Sequence, residues 1–420
     1  MRWASVTPGI SSLFTVHRYD GVIRRITGTL AFRMKRFRSM LANGQGVVIL
    51  RESLSFSSVQ RAVTIAGLGP AMLMGCAVHE DAQLAAYLPA PTYKVSLQIP
   101  AALKAIFKPT AAAPQELVSS LEALVRNFSG VAGVSVASVD EGWLISAGGE
   151  RKLPQQSVSK LWVTMTVLDQ IDQGKLSLDT PLSFTTEDFT VFHQPIAALV
   201  KPGQPYNTNV AEVIRRAMQM SDNTCNDKLL RLVGGPDAVR DFIARRSLGP
   251  IRFGPGERLL QAGTAGLEWR SEYSRGNAFS QARARLAPTV RKAAFEAYVL
   301  DPPDGAAPLA IAGALARLKR GELLSPSSTE WLIKTMEAAK TGRSRVRAAV
   351  PVGWSYGHKT GTGQDLSGRT AGFNDVGIMT APDGRGYAVA VMIGDTARPV
   401  RERQLLMQQV AAAIVANHAR

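Results

Sequence analysis

The sequence predicts an α+β domain: one antiparallel sheet built from both ends of the folded segment, flanked by helices and interrupted by an inserted helical lobe. Three observations point there. Two short β-type runs, at 131–137 and 142–145, lie either side of the polar turn Asp140-Glu141. Near the C-terminus, runs at 374–380 and 387–393 flank Pro382-Asp383-Gly384. Between the two pairs, from Ser157 to about Lys340, helical spacing dominates and no long-range repeat indicates a solenoid.

Length and composition frame this domain. A chain of 420 residues holds one large domain of roughly 250 to 300 residues plus extra segments. With 45% apolar and 20% charged residues it is neither disordered nor fibrous. The formal charge of +16 could indicate a nucleic-acid or membrane-surface partner, but half of the excess lies in residues 1–61, which hold ten basic and two acidic side chains. No segment has the interleaved aromatics of a nucleic-acid module, so no nucleic-acid partner is expected.

The N-terminal part reads as export and tether. After Arg61 an uncharged run, 62–75, ends in Leu73-Met74-Gly75-Cys76, which resembles a bacterial lipobox. The run is too short to span a bilayer, which takes about 20 apolar residues, but suits a signal peptide. Residues 1–76 are therefore expected to be an over-extended N-terminus plus a lipoprotein signal peptide, with Cys76 lipidated and the protein in the periplasm or cell envelope. Residues 77–114, rich in Ala and Pro, read as a linker. The folded unit, 115–420, opens with a helix over Gln115–Asn127, in which Leu117, Leu121, Leu124 and Val125 fall on one face, and closes with a helix over 401–417. The two cysteines, Cys76 and Cys225, form neither a disulfide framework nor a metal-ligand pattern, and no metal or other cofactor is expected.

Three short motifs carry chemistry. Ser157-Val158-Ser159-Lys160 opens an uncharged helical run, and a spacing of three puts Ser157 and Lys160 on one helix face. A serine hydroxyl becomes a nucleophile once a neighbour takes its proton, and a partly buried lysine can do so. Ser221-Asp222-Asn223 falls between helical runs: the Ser hydroxyl can relay a proton to a leaving amine, and the Asn amide can hold a substrate carbonyl and orient the lysine. Lys359-Thr360-Gly361 lies in an expected edge strand, where Lys and Thr can bind a carboxylate and Gly361 lets the substrate approach the backbone. Each motif alone would more often be a helix cap or a surface charge.

Together, in this order, they resemble the signature of class A β-lactamases and penicillin-binding proteins, although Lys-Thr-Gly also occurs at 340–342. The resemblance runs from about Gln115 to the C-terminus and implies a β-lactamase/D,D-peptidase-like fold, an acyl-enzyme on Ser157 and a β-lactam or D-Ala-D-Ala-like substrate for a monomeric enzyme. It places the deacylating carboxylate at Glu257, followed by Leu260, and reads Gln261 as the amide that holds the water where the family usually has Asn. It also assigns Thr362 a backbone N–H in the oxyanion hole and Arg369 a part in carboxylate binding. Two departures stand out. Pro255 replaces the arginine that normally clamps the catalytic loop, and some 25 to 40 residues, at about 262–301, read as an insertion that could form a small lid. The resemblance leaves two activities open: a serine β-lactamase, or a D,D-carboxypeptidase/transpeptidase acting on peptidoglycan stem peptides.

Overall fold

The computed structural model describes residues 109–418. The expected signal peptide, Cys76 and nearly all of the expected linker lie outside these residues. The chain begins with helix α1 (Gln115–Asn127), then strands β1 (Val131–Ser138) and β2 (Leu144–Ala147). A 3-10 turn at Gln156–Ser159 leads into α2 (Lys160–Asp172), and a small hairpin of β3 (Pro181–Phe184) and β4 (Tyr206–Asn209) precedes α3 (Val210–Arg215). The lobe continues through α4 (Asn223–Leu232), α5 (Pro236–Arg245), α6 (Glu257–Ala265), α7 (Ala278–Arg285) and α8 (Pro288–Leu300). Then come α9 (Pro308–Lys319), α10 (Pro326–Glu337), β5 (Ser355–Thr362), the short β6 (Asp365–Leu366) and β7 (Arg369–Thr370), β8 (Phe373–Thr380), β9 (Gly386–Asp395) and the closing α11 (Val400–Ala416). Among the described residues no helix is long and apolar enough to cross a membrane.

Five strands form the main sheet in the order β2-β1-β9-β8-β5, with every neighbour antiparallel. Both chain ends supply it, as the sequence predicts. Its core follows from the two-residue period of a strand. Along β9, Ala388, Ala390 and Met392 face a core shared with α2, α9 and the lobe, while Tyr387, Val389, Val391 and Ile393 face a second core under α1 and α11. The alanines on the first face let α9 sit close: Ala310 and Ala314 of that helix are buried in the same core. Burying each larger aliphatic side chain here stabilises the fold by about 1.5 to 3 kcal/mol relative to exposure.

The sheet leaves β5 as an edge strand, and that edge faces the lobe. At Gly361 an added Cβ would stand 2.3 Å from the Gln155 carbonyl oxygen. The missing Cβ lets β5 reach the turn bearing Ser157. The expected insertion is ordered as helices α7 and α8 with a 3-10 turn at Ser271–Ser274. It buries apolar groups of its own, Tyr273 and Phe279 against Val191 and Ala262, and Phe295, Tyr298 and Val299 against Leu260 and Ala371.

Candidate active site

Ser157 sits in the 3-10 turn ahead of α2, and Lys160 is the first residue of that helix. The residue before the serine, Gln156, has φ +54°, a conformation that costs a non-glycine residue of order 1 to 3 kcal/mol and persists only where its surroundings enforce it. They do so here. The Gln156 N–H donates to Asp304 Oδ2 at 2.7 Å, and Asn374 Nδ2 donates to the carbonyls of Pro154 at 2.8 Å and Gln155 at 3.0 Å. The Gln155 side chain bridges Trp162 Nε1 to the Arg252 and Asp304 carbonyls.

Lys160 is fully buried, and its ammonium donates to Ser157 Oγ at 2.9 Å, to Asn223 Oδ1 at 2.9 Å and to Glu257 Oε1. Two buried charges in contact are tolerated because each is also hydrogen-bonded. Asn223 is held in turn by its Nδ2, which donates to the Val191 carbonyl at 2.9 Å. The Asp222 carboxylate caps α4 at the Cys225 N–H and binds the Ile196 N–H. Ser221 has the left-handed φ of +61° at the end of the π-helical turn Arg216–Met220, and its Oγ accepts from Lys359 Nζ at 2.9 Å. Burial, with Lys160 nearby, pulls the Lys359 ammonium well below the ordinary lysine range. The hydroxyl of Thr360 contacts that of Thr341 at 2.9 Å.

Glu257 is the first residue of α6, buried, with no side-chain cap from Gly256. The capping comes from a neighbouring helix: Asp227 of α4 accepts from the Glu257 N–H at 2.9 Å and, weakly, from the Arg258 N–H at 3.4 Å. Burial, with the Glu257 charge beside it, pushes the Asp227 carboxyl up to about 6. This contact anchors the segment that Pro255 leaves without its arginine. Gln261 is one helical turn on, so its amide returns to Glu257: Nε2 donates to Glu257 Oε2 at 3.3 Å and to Gln156 Oε1 at 3.1 Å, while Oε1 accepts from Gln364 Nε2 at 3.0 Å. The amide orients the carboxylate.

One expected binding residue is elsewhere engaged. Ser367 and Gly368, with φ of +50° and +79°, turn the β6–β7 hairpin so that Arg369 pairs with Asp395 at 2.7 Å and with Glu296 of α8. Hydrogen bonds to these two carboxylates raise its pKa further. Arg369 thus links the β6–β7 hairpin to β9 and α8. The guanidinium behind the Lys359 strand is Arg345. Its Nη1 donates to the carbonyls of Gly361 at 2.9 Å and Asn374 at 2.5 Å, its Nη2 to Thr362 Oγ1 at 2.6 Å, and it stacks 3.8 Å over the Phe373 ring. Burial lowers its pKa to about 10, so it stays charged at neutral pH. Its sequence setting, an arginine-dense loop without periodicity, gave no signal; nor did Asp227 or Asp304.

Such a cluster can activate one hydroxyl, deliver a proton through another and leave a carboxylate able to take a proton from water, which is the work of a serine hydrolase that passes through an acyl-enzyme. Comparison with known proteins agrees. The model of the beta-lactamase enzyme family matches residues 116–418. The extended-spectrum beta-lactamase PER-1 of Pseudomonas aeruginosa is 30% identical over 72% of this chain and 87% of its own, and beta-lactamase Toho-1 of Escherichia coli 29% over 71% and 87%. Among solved structures, the chain resembles a beta-lactamase from Chitinophaga pinensis (TM-score 0.58, 27% identity, 73% of this chain and 99% of that one). The TLA-3 extended-spectrum beta-lactamase (TM-score 0.61, 22% identity, 73% and 100%) shares the fold. The chain belongs to the beta-lactamase enzyme family.

Proposed function

We propose that this class A type serine enzyme hydrolyses the amide bond of β-lactams through an acyl-enzyme on Ser157, with Glu257 as the base for deacylation. The observation that carries this reading is the Lys160 ammonium, in contact at once with Ser157 Oγ and with the Glu257 carboxylate. Passing one proton from Lys160 to Glu257 leaves a neutral amine facing the serine, which can take the hydroxyl proton as Oγ attacks the lactam carbonyl. The C–N bond then breaks, and Ser221 gives its proton to the leaving nitrogen, replenished from Lys359 2.9 Å away. The backbone N–H groups of Ser157 and Thr362 receive the tetrahedral oxygen. Lys359, Thr360, and Arg345 through Thr362, supply the positive field for the substrate carboxylate, and Asn223 holds its side-chain amide. Glu257 then gives up the proton it took and Lys359 recovers one from solvent, which restores both groups; water attacks the ester while the Glu257 carboxylate takes its proton and passes it to the departing Ser157 Oγ.

Export, lipidation at Cys76 and a monomeric state complete the proposal. They rest on the lipobox-like sequence and the family. Mass spectrometry of native protein from the membrane fraction tests the anchor, which an intact segment upstream of Arg61 would refute.

Glu257→Gln tests the reaction. The amide keeps the side-chain volume and one acceptor for Lys160 but cannot take a proton from water. Ser157 is expected to acylate more slowly, because Lys160 loses the carboxylate that takes its proton, and then to stall: nitrocefin turnover falls by a factor of about 10² or more, and a penicillin adduct persists in the mass spectrum. If parent and variant hold the adduct equally long, the chain acts instead as a penicillin-binding D,D-peptidase.

A further inference from the structure

The inserted helices reach the catalytic carboxylate through a chain of buried amides. Tyr298 of α8 and the residues it serves are all almost fully buried: Tyr298 is 4% exposed, Asp304 and Gln156 1%, Gln261 5% and Gln364 7%. The Tyr298 hydroxyl donates to Asp304 Oδ2 at 3.2 Å and accepts from Gln156 Nε2 at 2.6 Å. Gln156 Oε1 accepts from Gln261 Nε2, the same nitrogen that donates to Glu257 Oε2.

An amide can be satisfied either way round unless its partners can play only one part. Both ends of this chain end on such partners. At one end an ionised Asp304 can only accept, so the Tyr298 proton points to it and the phenol oxygen is left to receive an N–H. Gln156 must therefore turn its nitrogen to Tyr298, where the Ala371 carbonyl at 3.3 Å also accepts from it. At the other end Gln364 Nε2 donates to the Gln261 backbone carbonyl at 2.8 Å, which again can only accept, and the same nitrogen fixes Gln261 Oε1. Either end alone holds Gln261 in the one orientation that the Glu257 carboxylate can use, with an N–H toward it.

We infer that Tyr298 and Gln364 are positioning residues for deacylation: acting from opposite ends of the Gln156–Gln261 amide pair, they keep an N–H on Glu257 Oε2, and the insertion thereby supplies part of the catalytic support. The inference rests on Glu257 being the deacylation base. With one key removed the other still sets the amides. With both removed, the amides are held only by the long contacts of Gln156 to the Ala371 carbonyl and of Gln261 to Glu257, each at 3.3 Å, and the N–H on Glu257 is no longer fixed in place.

The test uses the whole chain with Tyr298→Phe, Gln364→Leu and the double variant, measuring acylation by penicillin labelling and deacylation by decay of the adduct, with Glu257→Gln alongside. Folding should survive the phenylalanine, because Asp304 keeps the Gln156 N–H and Gln156 keeps Ala371; thermal melts check each variant. Acylation is expected to stay within about twofold, while deacylation falls about threefold in each single variant and about 30-fold or more in the double, beyond the product of the singles. A structural role would slow both steps together, and that outcome overturns the inference. So does a double variant that deacylates at the parent rate while Glu257→Gln stalls, leaving the proposed reaction standing. If Glu257→Gln does not stall, reaction and inference fall together.

Discussion

Two arginines, 24 positions apart, show how little a residue's type says about its task until its partners are known. Arg369 has two carboxylates within reach and spends its charge on them. Arg345 has no carboxylate in direct contact, only the field of Asp375 nearby: its guanidinium is hydrogen-bonded to two carbonyls and the Thr362 hydroxyl, so its charge stays beside the strand that carries Lys359. A charge-assisted interaction of this kind contributes about 1.5 to 3 kcal/mol, so Arg345→Ala is expected to lower the second-order rate of acylation by penicillin about 10- to 100-fold. Arg369→Ala should change that rate by less than about threefold and act on thermal stability instead, because exposed ion pairs contribute at most about 1 kcal/mol. Equal losses of acylation rate in the two variants would show that neither position is distinguished by its partners.

At the scale of elements, the decisive piece is the start of α6. A helix that begins at Gly256, φ +95°, has no side-chain cap of its own, and Asp227 on α4 provides one through the Glu257 N–H. Asp227→Asn keeps an acceptor at that N–H and should deacylate at close to the parent rate. Asp227→Ala removes the cap, a loss of about 0.5 to 2 kcal/mol, and frees the Glu257 backbone. Adduct decay after penicillin is expected to slow about tenfold in the alanine variant alone; identical decay in both would show that Glu257 is held by other contacts. What the sequence disclosed follows from the same distinction between local and distant partners. The helix at Gln115–Asn127 and the sheet strands are legible because their periods are written in adjacent residues, and Ser157 with Lys160 because they share a helix turn. The β3–β4 hairpin is not legible, since Pro181 in one strand and Asn207 and Asn209 in the other read as turn residues. Asp304, 148 positions from the Gln156 N–H it receives, and Arg345, whose worth depends on β5 and β8 being adjacent, leave no mark on their own neighbourhoods.

For the molecule as a whole, organising a site around buried carboxylates affects stability, and pH reveals it. Asp304 is fully enclosed without a cation, faces the Tyr298 hydroxyl and the Glu257 charge, and is pushed by burial from 3.8 to about 6. A carboxyl whose folded pKa lies above its unfolded value holds its proton longer in the native state. Its stabilising contribution is therefore complete below about pH 4 and is lost as pH rises through about 6. A tenfold change in proton affinity is worth about 1.4 kcal/mol, so the loss amounts to about 3 kcal/mol between those limits. Carboxylates shifted the opposite way, such as Asp188 beside Lys228 and Arg231, hold their contribution above about pH 4 and lose it only below that, mostly under this window. Asp304→Asn isolates the contribution, because the amide oxygen still accepts from the Gln156 N–H but does not titrate. Urea unfolding of parent and variant from pH 4.5 to 7.5 should show the difference, parent minus variant, falling by roughly 1 to 2 kcal/mol up to about pH 6 and then flattening. A constant difference across that range would mean that Asp304 is already ionised in the folded protein at pH 4.5, and that the strained turn ahead of Ser157 is held by a full negative charge throughout.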